Sequence, residues 1–372
     1  MPPQPLDPNR ADQPPVGATS DRVLADLGED ELLRLIFPLL PPEPRAVIGP
    51  GDDAAVLGLS YGAVVLTTDT MVLGSDWRDE WSSAADVGAK VVAQNLADVA
   101  AMGAVPVGLL VTLIADPSTP VAWAVDLAGA IGDAAAIAGT GVLGGDLSSA
   151  PPGLRAVSVT ALGDLEGRSA VTRTATRPGD VIAVNGTLGH AAAGLRLLFD
   201  SAGERSAGAD PAAGGIGAPG PRPAIPAAGA PFVAVQRRPT PPLAAGPQAA
   251  AAGVHALIDL SDGLVRDAGR VARASGVDLD LDLAALRPDI EAIAAVLGEQ
   301  TAQTCVLTGG EDHSLLGCFS AQVPLPAGWR RIGAVRAAAS APSGETEAGG
   351  AVGRVLVDGA VPEALGWDHF GG

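Results

Sequence analysis

Short apolar runs alternate with longer helical segments along most of this chain, and that alternation narrows the folds open to it. The most regular segment is SSAADVGAKVVAQNLADVAAM, Ser82 to Met102, with Ser83 placed to cap its first turn and Gly103 to end it. Apolar runs at Ala63–Thr70 and Val105–Ile114 flank it and read as strands. A helix is expected over Pro120–Ala138, then a short strand over Val142–Leu147 ending in a turn, and another over Ala156–Leu162. Upstream, Leu24–Leu40 carries apolar residues at helical spacing behind acidic residues that suit a helix N-terminus. The second half has the same texture. Strands are expected at Asp180–Val184, Val254–Asp259, Val277–Leu283, Thr304–Leu307 and Leu315–Phe319. Helices are expected after the glycines of NGTLGHAAAGL, over Gly263–Ala274 and near Asp289–Leu297. The pattern is that of an α/β protein.

At 372 residues the chain suits two ordinary domains. Residues 1–20 form a polar, Pro-rich tail, followed by an N-terminal α/β domain over 21–165 and a C-terminal α/β domain over 166–372. The second domain carries a Gly/Ala/Pro-rich insertion at 201–231, expected to be mobile, and a further low-complexity stretch near Ala337–Gly350.

A net charge of −19 argues against general nucleic-acid binding, because such a surface repels phosphodiester backbones. Metal ions can still reverse the local sign for a phosphorylated ligand. The most apolar run, Ala100–Ala115, is broken by Gly103, Pro106 and Gly108, so no membrane span is expected, and the N-terminus has no signal-peptide core. Cys305 and Cys318 fit neither a disulfide framework nor a zinc site, which suits a cytoplasmic protein.

Against that background five acidic clusters stand out: Gly51-Asp52-Asp53, Thr67-Thr68-Asp69-Thr70, Asn95 with Asp98, Gly144-Gly145-Asp146, and Asp259-Leu260-Ser261-Asp262-Gly263. Most fall where an apolar run gives way to a turn, whereas Asp98 lies inside the long helix. Any one cluster is an ordinary turn or cap. Converging carboxylates repel unless cations sit among them, and oxygen donors are what magnesium prefers. The set therefore reads as a polymetal site for a polyphosphate. There is no G-x-x-x-x-G-K-[ST], no G-x-G-x-x-G after a strand and no kinase catalytic loop, and the sole lysine, Lys90, lies in a helix away from any glycine loop. Arg173, in VTRTATRPGD, is a candidate to neutralise nucleotide charge, or else a surface residue before a turn.

GDDAAVL, TTDTMV, AKVVAQNLADVAAMGAVP, GGDLSS, DLSDGLVRD, TGGEDHSLL and the terminal GWDHF occur in one order. That ordered set resembles the thiamine-monophosphate kinase family, within the superfamily that includes aminoimidazole ribonucleotide synthetase. The resemblance runs from about residue 24 to the end, outside the two low-complexity stretches. It implies a two-domain fold whose N-terminal sheet pairs across a homodimer into a barrel, with a C-terminal α/β domain packed against it. It also implies ATP-dependent phosphorylation of thiamine monophosphate to thiamine diphosphate, with several Mg2+ ions and no protein nucleophile.

By position, the implied magnesium ligands are Asp53, Thr68, Asp69, Asp98, Asp146, Asp259 and Asp262, with Thr67 contributing through its backbone or hydroxyl. The implied ATP contacts are Gly145, Asp146, Arg173 and Ser261, and the implied substrate contacts are Asp76, Glu311 and Trp367. Trp367 sits in a Gly-rich tail, a poor place for a core residue, where its ring suits stacking on thiamine phosphate. Asp76-Trp77 stands where the family commonly carries His-Phe, and His313, expected to be structural, where Tyr is usual. The alternatives are another ATP-using enzyme of the superfamily, or a non-catalytic magnesium–nucleotide regulator. Selenide chemistry would favour an N-terminal Cys and Lys pair, which the chain lacks.

Overall fold

The structure is a computed structural model that describes residues 22–27, 29–48, 55–60, 62–202, 224–338, 353–363 and 366. The expected tail at 1–20, most of the 201–231 insertion and most of the 337–350 stretch lie outside the described residues.

The first sheet has the order β3-β6-β4-β5, formed by Val64–Val72, Arg155–Asp164, Val105–Ala115 and Val142–Ser149. β3 and β4 both run antiparallel to β6, and β5 runs parallel to β4 at the sheet edge. One face is covered by α2 (Ala84–Ala101) and α3 (Val121–Ile137), which close a core of Val91, Leu96, Leu109, Leu127, Ile131 and Val157. α2 starts where the sequence suggests. Ser83 Oγ accepts from Asp86 N at 3.2 Å, and the Asp86 carboxylate accepts from Ser83 N at 2.9 Å. Among the described residues the other face is open, leaving Val64, Leu66, Val72 and Leu110 exposed beside paired hydroxyls of Thr68 with Thr160 and Thr70 with Ser158.

Ahead of this sheet, Leu24–Leu40 is three pieces rather than one helix. A 3-10 turn at Leu24–Asp26 precedes α1 (Glu29–Ile36), and a second turn at Phe37–Leu39 follows, where Pro38 ends regular α geometry. A small hairpin of β1 (Ala46–Ile48) and β2 (Val56–Leu57) follows. It flanks the Gly51-Asp52-Asp53 cluster, which lies outside the described residues.

The second sheet has the order β12-β9-β11-β7-β10-β8, formed by Val355–Val357, Val277–Leu281, Arg330–Ala337, Val181–Asn185, Ser314–Phe319 and Ala256–Leu260. The helices α4 (His190–Ser201), α7 (Leu264–Ser275), α8 (Arg287–Leu297) and α9 (Glu299–Thr308) supply the core on one side, around Leu198, Val271, Ile290 and Val306. On the other side Leu257, Leu315 and Phe319 pack with Ala245 and Ala249 of α6 (Ala245–Ala251) and with Ala100 and Ala101 of α2. Gly246 permits that approach, since a Cβ there would lie 2.0 Å from the Ala100 carbonyl oxygen. One helix thus serves both sheets.

Several expectations are corrected. Thr304–Leu307 is not a strand but part of α9, where Thr304 and Thr308 hydroxyls donate to carbonyls four residues back at 3.0 and 2.8 Å. Gly144-Gly145-Asp146 lies within β5, and Thr67–Thr70 within β3, so neither is a turn. The described ends of the 201–231 segment belong to helical elements. α4 reaches Ser201, and a 3-10 turn at Ala227–Gly229 leads into α5 (Ala230–Arg237). Among the described residues no helix is long and apolar enough to cross a membrane.

Candidate active site

Residues 90, 94 and 98 recur every fourth position of α2 and so share one face of it. Each engages a different partner. The Asp98 carboxylate accepts from Thr67 Oγ1 at 2.8 Å, the Gln94 side chain bonds the Asp69 carboxylate, and Lys90 Nζ lies 2.8 Å from Glu311 Oε1. Asn95 fixes the β3 backbone, its Oδ1 accepting from Asp69 N at 3.0 Å while its amide donates to Val91 O. Side chains alternate along β3, so Thr67 and Asp69 turn to α2 and Thr68 to the open face, where its hydroxyl donates to Val159 O.

The second sheet brings acids to the same face of α2. Asp259 is buried opposite Leu315 of the core shared with α2, and it meets His313 Nδ1 at 3.4 Å. The chain then turns through Ser261, Asp262 and Gly263 into α7. Gly263 has φ 116° and a Cβ there would lie 2.5 Å from Thr308 O, so this sharp entry requires glycine. The TGGEDHS segment folds over it. Glu311 N donates to Ser261 O at 2.9 Å and His313 N to Leu260 O at 3.1 Å, with Glu311 and His313 both in left-handed backbone (φ 68° and 51°). Two non-glycine residues held there mark a conformation imposed by the surroundings. Between them Asp312 accepts from Thr187 Oγ1 and His190 N, tying the segment to the start of α4.

Burial raises the Asp98 carboxyl to about 7, with Asp259 and then Asp69 adding repulsion against the Thr67 bond and His313. Asp69 is raised chiefly by burial, and Asp259 adds to it while His313 opposes. At His313 burial opposes the charge, but the bond to Asp259 and the nearby Glu311 outweigh it and the pKa rises. These mutual influences place Asp69, Asp98, Asp259 and His313 in one electrostatic neighbourhood, and Asp262 also acts on Asp69.

Other positions are not gathered there. Gly145 and Asp146 lie on edge strand β5, three strand spacings from Asp69 along the register Asp69–Val159–Val111–Gly145, or roughly 14 Å. Asp146 accepts from Ser148 Oγ at 2.7 Å and is exposed. Arg173 is exposed, and its carbonyl accepts from Ser275 at the far end of α7 from Asp262. Asp76 closes the turn after β3 by accepting from Val72 N at 2.7 Å, while its neighbour Trp77 is buried against Trp123. Asp53 and Trp367 lie outside the described residues, although Gly366 sits so close that a Cβ there would be 2.5 Å from Asp262 O.

Sequence reasoning missed four residues of this neighbourhood. Lys90 reaches the Gly309-Gly310-Glu311 loop after all, because the second sheet folds that loop against α2. Gln94 completes the stripe, whose four-residue spacing was the available signal. Asp267 accepts from Asp262 N, and Arg270 pairs with both Asp262 and Asp267. Their three-residue spacing in α7 was the available signal.

The gathered donors are carboxylates and a hydroxyl, a hard oxygen set that fits magnesium in kind, and their mutual repulsion is what a divalent cation would relieve. Among the described residues no three His, Cys, Asp or Glu side chains are grouped closely enough to hold an ion alone. Magnesium commonly keeps waters and substrate phosphates as ligands, so this arrangement suits an ion completed by a polyphosphate.

A two-sheet α/β fold with acids converging on one shared helix defines the class, and comparison with known proteins agrees. Residues 51–165 match the family "AIR synthase related protein, N-terminal domain". The thiamine-monophosphate kinase of Mycobacterium tuberculosis is 39% identical over 362 residues, 95% of each chain. The crystal structure of the enzyme of that name from Stenotrophomonas maltophilia K279a superposes with a TM-score of 0.69 at 29% identity, covering 90% of this chain and 96% of that one. AaThiL, solved in complex with AMPPCP and TMP, gives a TM-score of 0.68 at 27% identity, covering 93% and 98%. The chain belongs to the thiamine-monophosphate kinase family.

Proposed function

We propose that this protein transfers the γ-phosphoryl group of ATP to thiamine monophosphate, giving thiamine diphosphate and ADP. The observation that carries the reading is the convergence of Asp69 and Asp98 with Asp259 and Asp262 on one face of α2, beside Glu311. Support comes from the M. tuberculosis relative and from AaThiL, which binds AMPPCP, an ATP analogue, together with TMP.

An oxygen of the substrate's phosphate attacks the γ-phosphorus, a new P–O bond forms in line, and the bond to the β,γ-bridging oxygen breaks. The acceptor phosphate is already anionic near neutral pH, so no protein nucleophile or general base is assigned. The residues proposed to hold magnesium are Asp69, Asp98, Asp259 and Asp262, with Thr67 orienting Asp98 and with Asp53, Thr68 and Asp146 as further ligands. Bound magnesium would offset repulsion between the two phosphates. Within the protein, Asn95 and Gln94 fix Asp69, while the turn around Gly263 and the Glu311 segment fix Asp262 and Ser261. Gly145, Arg173 and Ser261 are assigned to ATP, and Asp76, Glu311 and Trp367 to thiamine phosphate. The seat of Gly366 against Asp262 supports Trp367.

A division of the chain near residue 165, a cytoplasmic location and a homodimer belong to the same reading. The open face of the first sheet, with exposed Leu66 and Leu110, supports the pairing of two copies there. The direct experiment incubates pure protein with ATP, magnesium and thiamine monophosphate and looks for thiamine diphosphate. ATP binding without that product would instead indicate a regulator.

A further inference from the structure

Lys90 is the chain's sole lysine, and its side chain is 5% exposed on α2, between the buried Val87 and Val91 turns. An ammonium carries three donors. Among the described residues Lys90 Nζ makes no hydrogen bond, although Glu311 Oε1 lies 2.8 Å away as a counter-charge. Glu311 itself is 38% exposed, so the pair meets solvent through its carboxylate end. Burying an ammonium with unused donors is costly, and an apolar side chain would pack there at less cost. The donors not turned to Glu311 are therefore left for an acceptor from a ligand, and an anion suits them best.

We infer that Lys90 and Glu311 form a matched receptor for a ligand that carries a phosphate and a cation close together. The ligand's phosphate oxygens take the Lys90 donors, and the Glu311 carboxylate, displaced from Lys90, faces the ligand's positive ring. One ion pair is exchanged for two, which keeps the buried charges neutralised. The inference rests on thiamine monophosphate as acceptor, since its thiazolium and phosphate are such a pair. Lys90 thereby becomes the residue that distinguishes the phosphorylated vitamin from free thiamine.

The test is calorimetric binding of thiamine monophosphate and of thiamine to wild type, Lys90→Met, Lys90→Arg and Glu311→Gln, with ATP binding as a check on the fold. Lys90→Met is expected to weaken thiamine monophosphate about tenfold or more while changing thiamine less than about twofold, and Lys90→Arg to recover most of the loss. Equal weakening of both ligands by Lys90→Met would make Lys90 a loop anchor and overturn the inference, as would no weakening of either. Should Lys90→Met fail to fold, Glu311→Gln decides, because it is expected to weaken both ligands. Unchanged thiamine binding in that variant contradicts the receptor. A wild-type protein that forms thiamine diphosphate yet shows either contradictory pattern loses only this inference. One that forms none loses the acceptor assignment itself.

Discussion

Asp98 sits inside a helix, where its type is unfavoured, and is half-buried beside two other acids, so its presence is a cost to stability. Burial above all, then Asp259, raises its carboxyl to about 7, and burial raises Asp267 to about 7 as well. Unfolded, both ionise near 3.8, so between about pH 4 and 7 the folded chain holds more protons than the unfolded one. Their contribution is fully present below that window and lost as pH rises through it. In metal-free buffer the melting temperature is expected to carry a decline across this range, and Asp98→Asn should make it shallower by scanning calorimetry. An unchanged slope would mean that Asp98 is not the half-buried, repelled group described. Magnesium added at pH 7.5 should then raise the melting temperature of the wild type more than that of the variant.

Helix α2 positions the site, and its start depends on the reciprocal bonds of Ser83 and Asp86. Ser83→Ala is expected to cost about 1 kcal/mol in denaturant titration, with KM for both substrates little changed. A large rise in KM at unaltered stability would instead tie the cap to the site. This element was legible because its cap, its apolar spacing and its terminal glycine agree. Elements with conflicting signals were not. Gly144-Gly145-Asp146 has turn composition, yet pairing with β4 holds it as strand. The run QTCVLT has strand composition, yet it lies in α9, where Ala302, Cys305 and Val306 are buried in the core of the second sheet. β11 was missed because RRIGAVRA has too few apolar residues to read as a strand, and its buried Ile332 and Val335 are earned only in the sheet. Of the site, the acidic positions were readable as residue types, but Lys90–Glu311 and His313–Asp259 were not. Their partners lie more than fifty positions apart: Lys90 and Glu311 meet only when the second sheet docks on α2, and His313 and Asp259 only when β10 pairs with β8.

For the whole molecule, α2 is the common support of two sheets and thereby sets the relation of Asp69 and Asp98 to Asp259. The same geometry leaves Asp146 on an edge strand and Leu66, 61% exposed, on the open face. Leu66→Asp is expected to convert a dimer to a folded monomer in analytical ultracentrifugation. A wild-type chain that sediments as a monomer contradicts pairing through this face. The central claim is that acids from both sheets act together in phosphoryl transfer, and the most direct measurement is thiamine diphosphate formed per unit time by wild type and Asp98→Asn at saturating ATP, magnesium and thiamine monophosphate. The expected loss is on the order of a hundredfold or more with the fold intact. A near-normal rate in Asp98→Asn would contradict it.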